Sequence, residues 1–137
     1  MKKKKTPQII PIRIPIYEQN IVVFYGSDFK QLRRWIKKDL RGKKKAEELE
    51  IYLKILNHLE EGQDRRTATY ILQNGRRIIW LKESDNISEL SGRLAHELTH
   101  LVYEFLKYLG LTLTEESEEA YAYLTGYLME RILEELV

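Results

Sequence analysis

Leu90, Leu94, Leu98, Leu101 and Phe105 recur every three or four residues, a period that gathers side chains on one side of an α-helix. Asn86 and Glu89 form a capping box at the head of this stretch, and Gly110 stops it. A helix with one such stripe has to anchor it in a core. Its other side is then left to look into solvent or a cleft. Two of the chain's three histidines lie there, because His96 and His100 both point about 160° away from Leu98.

The remaining segments supply layers for that helix to pack on. Residues 9–17 alternate around Pro11 and Pro15, which predicts an edge strand, since proline cannot donate to a ladder. Residues 18–20 read as a turn and 21–25 as a second, buried strand. Ser27 or Asp28 caps a helix running to about Leu40, with Leu32, Trp35, Ile36 and Leu40 inward and Gly42 at its end. Residues 43–61 form another amphipathic helix, with Leu49, Tyr52, Leu53, Leu56 and Leu59 on one side. Residues 67–73 and 76–82 flank Asn74-Gly75, which predicts a β-hairpin closed by a type I′ turn. Thr114 can cap the last helix, whose acidic first turn suits the helix dipole. The order ββααββαα is that of an α+β domain. We read residues 1–8 as a basic tail and 9–137 as one domain, in which a small antiparallel or mixed sheet packs on the histidine helix and the C-terminal helix.

Composition narrows the chemistry. The chain has 137 residues, 43% of them hydrophobic, which suits one modest core. With no cysteine there is no disulfide framework and no thiolate to hold a metal, so a metal site must use histidine and carboxylate. No apolar run approaches the ~20 residues that cross a bilayer. Met1 and Lys2 to Lys5 look like the start of a signal peptide, but Pro7, Pro11, Arg13 and Pro15 interrupt the segment after them, so a soluble cytoplasmic protein with no membrane partner is expected. The net charge of +2 hides an asymmetry. Lys and Arg outnumber Asp and Glu by 14 to 3 in residues 1–45, and are outnumbered 3 to 12 in residues 83–137. The plain reading is solvated helix faces and a tail. The basic region could also meet an acidic partner, whereas nucleic acid is not expected without an aromatic-rich binding motif.

Residues 96–100 read His-Glu-Leu-Thr-His. Four residues apart on a helix, the imidazoles lie about 40° apart and can grip one ion. Glu97 sits about 100° round from His96, beside the metal position without ligating it, where a carboxylate can serve as general base. The ion expected is Zn2+, one per chain, which lowers the pKa of its water from about 15.7 to about 7. His58, on an earlier helix, reads as an ordinary surface or core histidine.

His-Glu-x-x-His after a strand resembles the signature of the zincin metallopeptidases, which implies an active-site helix beneath a sheet with an antiparallel edge strand. The metzincin extension would need glycine at 103 and histidine at 106, where this chain has Tyr103 and Leu106. The SprT-like branch needs a third histidine downstream, and none exists after His100. The gluzincin arrangement remains, with a downstream glutamate as third ligand. More narrowly, residues 67–82 and 94–128 resemble small phage- and prophage-encoded metallopeptidase-like proteins. In those a hairpin precedes the motif, and a helix reading like Glu-Ala-x-Ala-Tyr-Leu-x-Gly comes after it. Here that helix is Glu119-Ala120-Tyr121-Ala122-Tyr123-Leu124-Thr125-Gly126. The strand Pro-Ile-Arg-Ile-Pro-Ile-Tyr also looks like theirs, while the charged segment 41–66 departs from them. For a phage-encoded chain the compartment would be the host cytoplasm.

The resemblance selects Glu119 as the third metal ligand, from a cluster of Glu115, Glu116, Glu118 and Glu119. Helical geometry is expected to agree. With Thr114 as N-cap, Glu115 and Glu116 fill the first exposed turn, and Glu119 shares a deeper face with Ala122, Tyr123 and Gly126, of which Ala122 and Gly126 are small enough to allow close approach to the histidine helix. Glu118, turned about 100° away, is the next candidate. Tyr103 and Tyr123 lie one turn beyond His100 and Glu119 and either could donate to an oxyanion, although core packing is the plainer role among nine tyrosines. The expected function is therefore zinc-dependent hydrolysis of a peptide or protein substrate. The alternatives are a repressor-cleaving regulatory protease of the ImmA/IrrE kind, and a phage structural or interaction protein that holds the metal without turnover.

Overall fold

The computed structural model describes residues 7–14, 19–39, 46–62, 64–72 and 75–136. Strand β1 (Gln8–Ile14) buries Ile10, Ile12 and Ile14 on one side and leaves Pro11 and Arg13 exposed on the other, the period-two pattern its sequence encodes. Among the described residues it pairs only with β2 (Gln19–Tyr25), antiparallel, the edge position that Pro11 requires. From β2 the chain crosses through helices α1 (Phe29–Asp39) and α2 (Ala46–Glu61) and an edge strand β3 (Thr67–Ile71) before entering β4 (Arg77–Leu81). That long crossover lets β4 lie parallel to β2, with Ile21 opposite Arg77 and Tyr25 opposite Leu81. β3 pairs antiparallel with β4, so the sheet is mixed, in the order β1-β2-β4-β3. Central β4 is buried along its whole length, as a strand covered on both faces must be.

Each face of the sheet has its own core. Phe24, Ile78 and Trp80 pack with Leu32, Ile36, Leu56 and Leu59 of α1 and α2. On the opposite face, Ile10, Ile12, Ile21, Val23, Ile79 and Leu81 pack with α3 (Ile87–Tyr108) and α4 (Glu118–Leu136). This is the expected α+β fold in the expected element order. No helix among the described residues is long and apolar enough to cross a membrane.

Local departures from the sequence reading have physical causes. Asn20 belongs to β2 rather than to a turn, paired opposite Arg13. At the hairpin Leu72 N–H donates to Arg76 O (2.8 Å) and Gly75 N–H to Leu72 O (2.9 Å), with Gly75 at φ +84°, a left-handed conformation that glycine adopts without strain. The type I′ turn expected at Asn74-Gly75 rests on Asn74, outside the described residues. Thr114 does not cap α4. Residues 115–117 form a separate turn, Ser117 O receives the N–H of Tyr121 (3.4 Å), and the helix begins at Glu118. The expectations placed on residues 1–6, 15–18, 40–45, Gln73 and Asn74 lie outside the described residues.

Candidate metal centre

Helix α3 starts where the sequence says it should. The Asn86 side chain accepts from the N–H groups of Ser88 (3.0 Å) and Glu89 (3.2 Å). The box is only half made, because Glu89 does not reach back; its carboxylate takes Arg66 (3.0 Å), Arg93 and Ser84 (3.3 Å) instead. Burial and the neighbouring Arg66 charge lower the pKa of Arg93. At the other end Gly110, at φ +86°, donates to Lys107 O and Leu111 donates to Leu106 O, both at 2.9 Å, closing a Schellman motif. Between these caps Leu90, Leu94, Leu98, Leu101 and Phe105 are all buried.

That anchoring turns His96 and His100 outward together. Both are exposed, their ring centroids lie 4.9 Å apart at 76°, and their Nε2 atoms converge to 3.3 Å. One ring can donate to the other across that distance, the direction set by the tautomer. It is also the separation of two nitrogens each about 2.05 Å from a tetrahedral zinc, about 3.3 Å. Two imidazoles are ligands such a metal takes, though the described residues bring no third beside them.

Glu97 is not free beside them. It is 7% exposed, and both carboxylate oxygens are engaged from β3. Thr67 Oγ1 donates to Oε1 at 2.7 Å, and Thr69 Oγ1 donates to Oε2. Strand alternation explains the pairing: Ala68 and Tyr70 turn toward α2, so Thr67 and Thr69 turn toward α3. A carboxylate this buried needs such partners. The sequence reading passed over these threonines, although Thr-Ala-Thr in a strand directly upstream of the motif puts two hydroxyls on one face. Further along α3, Glu104 receives Nε and Nη2 of Arg77, both at 2.8 Å. The Arg77 guanidinium lies 4.6 Å from the Phe105 ring centroid and donates to Gly75 O at 2.6 Å.

The other candidates are placed differently. Glu119 is exposed in the first turn of α4, on the side carrying Ala122, Tyr123 and Gly126, which are exposed as well. The expected packing of that face on the histidine helix is therefore wrong. Tyr121, Leu124, Leu128, Ile132 and Leu136 are the buried side, and a Cβ added at Gly126 would meet nothing within 4 Å. The apolar stripe, not the small residues, decides which side is buried, and with α4 starting at Glu118, Glu119 itself sits in the acidic first turn. Glu116 is committed to the preceding turn, its carboxyl held below the usual range by its own backbone N–H and by the Thr114 hydroxyl. No three His, Cys, Asp or Glu side chains among the described residues form a metal-holding group, so Glu119 is not gathered with His96 and His100. Tyr103 is exposed one turn beyond His100, its ring 6.3 Å from that of Tyr121. The Tyr121 hydroxyl donates to Leu111 O (2.6 Å), and burial raises its pKa, with Tyr103 adding to the shift. Tyr123 stacks on Tyr127. His58 stands edge-on to Tyr70, a residue of the α1/α2 face, so the sheet separates it from the histidine pair.

Comparison with protein-family models, curated proteins and solved structures finds no match.

Proposed function

We propose that this chain is a metal-dependent hydrolase and, within that class, a zinc peptidase acting on peptide or protein substrates. The observation that carries the reading is the 3.3 Å convergence of His96 Nε2 and His100 Nε2 on the outer side of α3. His96 and His100 would hold the ion as neutral imidazoles through Nε2, leaving each Nδ1–H to a second partner. Glu119 is proposed as the third ligand on the resemblance alone, since its face of α4 does not pack on the histidine helix. When bound, zinc supplies an acidified water near neutral pH and a Lewis acid for the scissile carbonyl. Glu97 supplies the base: its carboxylate accepts a proton and returns it to the departing amine nitrogen, ending as it began. The basic region, which includes exposed Lys30, Arg34, Lys37 and Lys38 on α1, is proposed to meet an acidic partner, and the compartment is proposed to be the cytoplasm.

The test is hydrolysis of a quenched-fluorescent peptide library by the zinc-loaded protein. Glu97→Gln should lose roughly 10²-fold or more in rate while keeping its metal. Unchanged cleavage by that variant would remove Glu97 from the mechanism. A second reading, an interaction protein that holds zinc without turnover, is favoured by the engagement of both Glu97 oxygens. Stoichiometric zinc with no cleavage of any library member would select it.

A further inference from the structure

We propose that Thr67 and Thr69 are positioning residues for Glu97, fixing the plane of its carboxylate from the edge strand so that it serves as a base and not as a metal ligand. The inference rests on the hydrolase reading. Glutamate has three rotatable side-chain bonds, and adjacent to a histidine ligand a free one could turn onto the ion. Here Thr67 holds Oε1 and Thr69 holds Oε2. Two donors, one on each oxygen, define the carboxylate plane in a way that a single bond cannot. Each oxygen still has a second lone pair to receive a proton.

The donors are themselves stiff. Threonine is branched at Cβ and restricted at χ1. Thr67 pairs opposite Leu81 and Thr69 opposite Ile79, on the strand buried at the centre of the sheet. The orientation of Glu97 is thereby referred to the sheet and not only to its own helix. A simple tie between α3 and β3 would be made at less cost by two apolar side chains, because burying a carboxylate is expensive even when it is bonded. What the threonines add is direction, and a displacement of about 1 Å at a reacting group can cost about 10²-fold in rate.

The experiment compares the full chain with Thr67→Val, Thr69→Val, the double valine variant and the double serine variant. Serine keeps the hydroxyls and valine keeps the shape. Expected are a roughly tenfold fall in kcat for each single valine variant and about 10²-fold for the double, with KM within twofold, zinc affinity not weakened and kcat restored by serine. The visible spectrum of the cobalt-loaded double valine variant should change as Glu97, released, moves onto the ion. A metal-free readout guards against misfolding: the Thr67 and Thr69 hydroxyl protons should be observable by NMR in the parent protein and lost in Glu97→Ala. Absent hydroxyl signals in the parent, or a double valine variant with parental kcat, overturns the proposal and leaves the hydrolase reading standing. No turnover by a zinc-loaded parent with intact hydroxyl signals instead defeats the hydrolase reading, and the catalytic role of the threonines falls with it.

Discussion

Glu104→Ala should cost the fold more than Arg77→Met, although both remove one ion pair. The Arg77 side chain is 3% exposed and that of Glu104 33%. Truncating Glu104 leaves a sealed guanidinium with Nε and Nη2 unanswered, keeping its bond to Gly75 O and its place over the Phe105 and Tyr108 rings. Breaking a fully buried pair from one side costs about 3–5 kcal/mol. Water reaching the partly open Glu104 position should roughly halve this, to about 2 kcal/mol. Arg77→Met removes the charge that has to be buried and keeps an apolar stem against Phe105, while Glu104 turns to water, for about 1 kcal/mol or less. The double variant should match Arg77→Met, so a double-mutant cycle returns a coupling of about 2 kcal/mol. The assay is urea unfolding monitored by circular dichroism at pH 7, and in a thermal melt Glu104→Ala should lie about 8 °C below the parent. Glu104→Ala within about 0.5 kcal/mol of the parent, or Arg77→Met as the worse of the two, would overturn this ranking.

Gly126→Ala should stabilise the protein by about 0.5–1 kcal/mol in the same assay and leave metal binding untouched, because the position is helical, exposed and open around the added Cβ. A loss of stability there would mean that the outer face of α4 is covered. Zinc titration of Glu119→Ala and Glu118→Ala decides the third ligand. Glu119→Ala should weaken binding by at least tenfold and Glu118→Ala should not, and the reverse order would move the role to Glu118.

What could be read from the chain depended on how local the encoding was. The stripe from Leu90 to Phe105 needs only helical periodicity, and it was legible together with its Asn86 cap and its Gly110 stop. Pro11 announced an edge strand for the same kind of reason, as a missing donor. Thr114 misled because threonine caps turns as readily as helices, and only the bonds around Ser117 separate the two. The buried side of α4 is the apolar stripe Tyr121, Leu124, Leu128, Ile132 and Leu136, not the side of small residues, and the packing case for Glu119 went with it. Glu97 shows the other limit. Its position beside the histidines is local, whereas its two partners come from about 30 residues upstream and depend on how β3 docks on α3.

Whether His96 and His100 hold a zinc ion is read most directly by calorimetric titration of zinc into the metal-free protein and its two histidine variants. The parent should take up one zinc per chain, and both His96→Ala and His100→Ala should bind it more weakly by orders of magnitude, each with the parental melting temperature. Binding of parental strength in both variants, or a parent that takes up no zinc, would contradict the site.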